Sequence, residues 1–160
     1  MASEQYEALI QQYLAGPQLL KQALDSITQS QLDCRAIEGQ WTIRELVCHL
    51  ADFEPVYGDR IKRVLAEERP TLMGGDPDQF LKALAYSSRS IEAELAVIEA
   101  TRRSLGEILV TLTDEQWKRV GIHSRDGELS IEQLILRITG HIPHHLKFVA
   151  QKLEAMQSAP

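Results

Sequence analysis

The sequence predicts an all-α protein built as a four-helix bundle, and three observations carry that expectation. Four long stretches repeat apolar residues at the helical period, capping-box signals open two of them, and none alternates apolar and polar residues as a strand would. At 160 residues with 44% hydrophobic content, the chain can bury a core as one domain spanning residues 1–160 without disulfide support.

The first helix is expected from about Glu4 to Ile27, with Leu9, Ile10, Tyr13, Leu20, Leu24 and Ile27 at helical spacing. Gly16-Pro17 interrupts that pattern and predicts a kink or a split. The second helix has the clearest start: Thr42 as N-cap, Glu45 reaching back to it, and Trp41 placed to staple against Leu46. Its stripe is Ile43, Leu46, Leu50, Phe53, Tyr57, Ile61 and Val64, and it should end near Glu68, before Pro70.

Arg69 through Gly75 reads as a crossover, closed by Asp76-Pro77, an N-cap followed by proline at the first helical position. The third helix is expected to run long, to about Leu112, burying Phe80, Leu84, Ile91, Leu95, Ile98, Leu105 and Leu109. Thr113 to Gln116 starts a short helical turn carrying Trp117, and Gly121 through Gly127 reads as loop. Ser130-Ile131-Glu132-Gln133 is the other capping box and opens the fourth helix, which should last to roughly Glu154. The links between the second and third and the third and fourth helices are long enough for non-adjacent connections, so the helical pattern leaves the topology open.

Charge and composition narrow the function classes. A net charge of −6 argues against a nucleic-acid partner, whose footprint on the protein would be basic. No long uninterrupted apolar run predicts a membrane span. The N-terminal run Met1 to Tyr6 lacks the basic and apolar regions of a secretory signal. Cys34 and Cys48 read as unpaired thiols of a reducing compartment, and the expected location is cytoplasmic.

The histidines carry the chemistry. Three of five fall in Gly140-His141-Ile142-Pro143-His144-His145. Residues 141 and 145 stand one helical turn apart, so their imidazoles share a face and can converge on one ion. Both fall at the edge of the buried stripe of Ile131, Ile135, Ile142, Leu146, Val149 and Leu153, whereas His144 points to solvent. His49 takes the same edge position on the second helix and would complete a three-histidine set with open coordination positions. The chain has no HExxH motif and no Glu-x-x-His pair of a di-iron bundle. Pro55 and Pro143 lie inside the two histidine-bearing helices and should bend them. Asp52 has two readings, a solvated surface carboxylate or a group that orients a ligand and serves as acid or base. His123 likewise reads either as a surface-loop residue or as a catalytic group near the site mouth.

The run Trp41-Thr42-Ile43-Arg44-Glu45-Leu46-Val47-Cys48-His49-Leu50-Ala51-Asp52, with Arg60 after it, resembles the first metal-binding helix of the DinB/YfiT-like superfamily. The crossover from Pro70 to Asp76 and the closing Gly140-His141 through His145-Leu146 resemble it too. That resemblance implies an up-down-down-up four-helix bundle, frequently a homodimer. It also implies one divalent ion, zinc or nickel, held by His49, His141 and His145. Members of known activity include thiol-dependent S-transferases and a mycothiol-dependent isomerase, and many others are hydrolases by name only. The expected partner is a small-molecule substrate or thiol. A metal-dependent enzyme activating a low-molecular-weight thiol is favoured by the resemblance alone. A hydrolase activating water and a non-enzymatic metal-binding stress or sensor module are the competing expectations.

Overall fold

The computed structural model describes residues 4–158; Met1, Ala2 and Ser3, part of the run read against a secretory signal, lie outside the described residues. Four helices form the bundle: α1 (Glu4–Leu24), α3 (Ile43–Ala66), α5 (Ile91–Leu109) and α7 (Ile131–Ser158). Three short helices, α2 (Gln29–Asp33), α4 (Pro77–Ala83) and α6 (Asp114–Trp117), lie in the connections. Among the described residues no helix is long and apolar enough to cross a membrane.

The topology follows from which residues meet. α1 and α3 each pack on both α5 and α7, so α1 and α3 are diagonal to one another. Along α3, Asp52 meets Arg89 at the entrance to α5 and Glu54 meets Arg102, so the two helices run parallel. Gln5 near the start of α1 meets Glu132 near the start of α7, and these also run parallel. Gln40, before α3, meets Lys152 near the end of α7, so that pair is antiparallel. The bundle is therefore up-down-down-up, with the chain from residue 67 to 90 returning along its length.

Both predicted capping boxes on the long helices form. Thr42 Oγ1 accepts from the Glu45 amide while Glu45 accepts from the Thr42 amide, and Ser130 and Gln133 do the same at α7. Three expectations need correction. The long third helix is broken: α4 ends at Ala83, Ala85 takes a left-handed conformation (φ 51°), a 3-10 turn spans Tyr86–Ser88, and Ser90 caps a new start at α5. The cause is Tyr86, 1% exposed, which dives into the core while the serine run around it supplies turn and cap hydroxyls. Leu84, expected in the stripe, is left 42% exposed by that break.

The second correction is a small sheet. Residues 121–127, expected as loop, lie largely in a hairpin of β2 (Val120–His123) and β3 (Gly127–Ser130), with Gly127 at φ 74° closing an Asp-Gly turn. The crossover adds β1 (Thr71–Leu72) parallel to β2, pairing Thr71 with Ile122 and Leu72 with His123. This fastens the returning chain beside the entrance to α7. Third, the first helix ends at Leu24 and leaves Ile27 outside it, whereas α7 continues past Glu154 to Ser158.

Gly16-Pro17 neither ends nor splits α1. Pro17 has no N–H to offer the carbonyl of Tyr13, and Arg102 of α5 donates to that carbonyl instead, Nη1 to O 2.7 Å. Gly16 makes the approach possible, since a Cβ there would stand 2.1 Å from Arg102 Nη1. Arg102 is 1% exposed and also donates to Glu54 Oε1 (2.9 Å) and to the Ile138 carbonyl (2.8 Å). All four bundle helices thus meet at one guanidinium.

Candidate metal centre

The capped start of α3 places His49 two turns into the helix, 5% exposed, facing α7. His141 and His145 answer it from one face of α7, while His144 is exposed. The three imidazoles form a near-equilateral set, with ring centroids 4.8 Å apart in every pair. One ligand atom from each lies within 4.8 Å of the others, and among the described residues this is the one such group of three. Nε2 of His49 and Nε2 of His141 are 2.9 Å apart, a separation that one ion about 2.0–2.1 Å from each can span.

The electrostatics suit metal ligation. Burial pushes His49 down to about 4, partly opposed by the negative charge of Asp52. Burial, with the neighbouring His49 and His145, pushes His141 to about 2, and burial and His49 push His145 to about 4. All three are neutral at pH 7 and offer lone pairs. Their Nδ1 atoms are buried, and no protein group hydrogen-bonds to them. With the proton of each neutral ring on Nδ1, the Nε2 lone pairs of His49 and His141 face one another at 2.9 Å, and a cation between them turns that repulsion into ligation. The donor set fits a divalent ion of the zinc, nickel, cobalt, copper or iron group.

The surroundings are aromatic. Trp41 lies edge-on to His49 at 5.2 Å, Phe53 is 4.7 Å from His49 and 6.1 Å from His141, and Phe148 is 5.8 Å from His145. Phe80 of α4 backs Phe53 at 5.5 Å. In the sequence Trp41 reads as a staple, Phe53 and Phe80 as stripe residues, and Phe148 as in line with His141 and His145. The missed signal is the spacing of Phe53, one helical turn from His49.

Asp52 and His123 are not among the converging groups. Both oxygens of Asp52 accept from Arg89, at 2.8 and 2.9 Å, and Arg89 also holds Glu94. His123 lies on β2 rather than in a loop and is 8% exposed. Its Nδ1 accepts from the amides of Arg125 and Asp126, and burial together with the charge of Arg60 lowers its pKa.

Known proteins share this architecture. The profile of the DinB superfamily matches residues 12–149. The "Putative metal-dependent hydrolase YfiT" of Bacillus subtilis (strain 168) is 30% identical over 152 residues, covering 94% of this chain and 85% of that protein. A second hydrolase of that kind by name, OB0782 of Oceanobacillus iheyensis, is 30% identical over 133 residues, 83% of this chain and 77% of its own length. The solved structure of YfiT from Bacillus subtilis, described as a probable metal-dependent hydrolase with an unusual four-helix bundle topology, superposes with a TM-score of 0.90. It covers 99% of this chain and 91% of YfiT at 29% identity.

Proposed function

Because the chain belongs to the DinB superfamily, we propose that it is a metal-dependent enzyme that hydrolyses a small molecule at an ion held by His49, His141 and His145. The observation that carries the reading is the convergence of three neutral imidazoles, His49 buried and His141 and His145 half-buried, whose ligand atoms lie within 4.8 Å of one another. The names of its relatives, metal-dependent hydrolases, support hydrolysis over other metal chemistry.

Bound there, a divalent ion supplies Lewis acidity: it makes a nucleophile in its open position more acidic and stabilises developing negative charge. The three imidazoles bring no charge of their own, so none of the ion's positive charge is cancelled by its ligands. Trp41, Phe53 and Phe148 exclude bulk water from the sides and offer the substrate an apolar body contact. Asp52, with both oxygens engaged by Arg89, serves as a fixed negative charge behind His49 rather than as a free base.

The test is elemental analysis of protein purified without a metal-affinity tag, followed by ester, amide and phosphoester substrates with and without chelator. One zinc or nickel ion per chain is expected, lost in His141→Ala and retained in His144→Ala, with hydrolysis that chelation abolishes. Turnover appearing only with an added cellular thiol would replace hydrolysis with thiol transfer. Full metal content in His141→Ala would overturn the ligand assignment.

A further inference from the structure

The buried arginines of this protein are not treated alike. Arg44, 5% exposed, is neutralised by Asp33, and Arg102, 1% exposed, by Glu54. Arg60 is also 5% exposed, yet among the described residues no carboxylate pairs with it. It donates from Nε (3.2 Å) and Nη2 (2.6 Å) to a single backbone oxygen, that of Met73, and stacks over the Tyr57 ring at 4.8 Å. The nearby acids are already taken: Asp59 by Arg63, and Asp126 by Arg137. A buried guanidinium without a counter-ion is costly, and the Met73 carbonyl fixes this one in a single orientation.

Arg60 lines a cleft of about 560 Å³ between α3 and the returning crossover, with Val56, Met73, Gly74, Gly75 and Phe80 among its walls. Met73 is 70% exposed there, an apolar side chain offered to solvent beside a buried positive charge. His49, Phe53, Val56 and Arg60 follow one another at helical spacings of four, three and four, so they share one face of α3. Arg60 stands about 16 Å along that helix from His49, with the Phe53–Phe80 pair between the cleft and the histidines.

We infer that this cleft binds a small organic anion, its carboxylate or phosphate against Arg60 and its apolar body along Val56, Met73 and Phe80. It stands as an anion site in its own right and does not rest on the metal-dependent reading above. The fork of a guanidinium suits either oxyanion. The apolar Val56, Met73 and Phe80 favour a carbon body over a bare inorganic ion, while Asp59 and Arg63, which also line the cleft, neutralise one another.

Hexanoate, hexyl phosphate and neutral hexanol test it, titrated into the metal-free full chain and followed through the backbone amides of Gly74 and Gly75. Both anions should shift those amides, hexanol should bind at least about tenfold more weakly, and the stronger anion identifies the preferred headgroup. Arg60→Met should weaken anion binding about tenfold or more, Arg60→Lys less, and Arg63→Gln least, because Arg63 is already paired. His141→Ala should bind the anions as wild type does, which separates failure of this site from failure of the metal centre. Shifts confined to other regions, hexanol binding as tightly as the anions, or undiminished binding in Arg60→Met would overturn the inference. The wild-type titrations decide the matter even if Arg60→Met does not fold.

Discussion

Two polar clusters are buried in this bundle, and they are finished to different degrees. Around Arg102, the guanidinium finds a carboxylate and two backbone carbonyls, and Glu54 in turn meets Arg102 and the Tyr13 hydroxyl. Around His49, His141 and His145, Nε2 of His49 meets Nε2 of His141, and the three Nδ1 atoms meet no protein group. The Arg102 cluster is the more deeply buried, whereas His141 and His145 are only half-buried beside a buried His49. What distinguishes them is the remainder, a hydrogen-bonding capacity that the chain itself leaves unfilled.

That contrast can be broken by perturbing the closed cluster. Glu54→Ala strands the Arg102 charge in the core and should cost about 3–5 kcal/mol in urea unfolding, whereas Arg102→Met with Glu54→Leu should recover most of the loss. A single-variant loss below about 1 kcal/mol would mean that the charge finds water. A smaller effect is expected from Gly16→Ala. An exposed helical glycine gains about 1 kcal/mol on becoming alanine, but here the new methyl meets Arg102 Nη1. The sign should reverse to a loss of about 1–3 kcal/mol, and a gain in melting temperature would show that the guanidinium moves aside freely.

Acid sharpens the comparison from the other side. In metal-free protein, unfolded histidines titrate near 6.5, whereas burial holds His49 and His145 at about 4 and His141 at about 2. Between those values the unfolded chain binds protons that the folded chain refuses. Stability should therefore be complete above pH 6.5 and decline as pH falls towards 4, by about 1.4 kcal/mol per pH unit for each such proton. Denaturation midpoints that stay level over that range would mean that the imidazoles are wet. Saturating zinc should deepen the same decline, since protons and the ion compete for the same lone pairs.

The two clusters were also unequally legible in the sequence. The histidines stood out because two are a turn apart on one helix and both, like His49, fall at the edge of an apolar stripe. The helical caps at Thr42 and Ser130 were legible for a similar reason: each is a local pattern over four residues. Arg102 was invisible, because its partners lie 36, 48 and 89 residues away and two of them are backbone oxygens, which no residue code marks. The break at Ala85 depends on where Tyr86 packs, and β1 depends on a parallel partner fifty-one residues on, so neither left a local pattern. The hairpin did leave one in Asp126-Gly127, between Ile122 and Leu129.

The interlock at Gly16-Pro17 also constrains how this sequence can drift. Pro17 leaves a carbonyl that Arg102 fills, Arg102 needs the space that Gly16 leaves, and its charge needs Glu54. A change at any one of these positions first passes through a chain with an orphaned group or a clash, so viable lineages should change them together or not at all. Among relatives, a side chain larger than hydrogen at position 16 should accompany loss of the arginine at 102. That arginine should in turn vanish together with the acid at 54, which makes the four positions inherit as a unit although 86 residues separate Gly16 from Arg102.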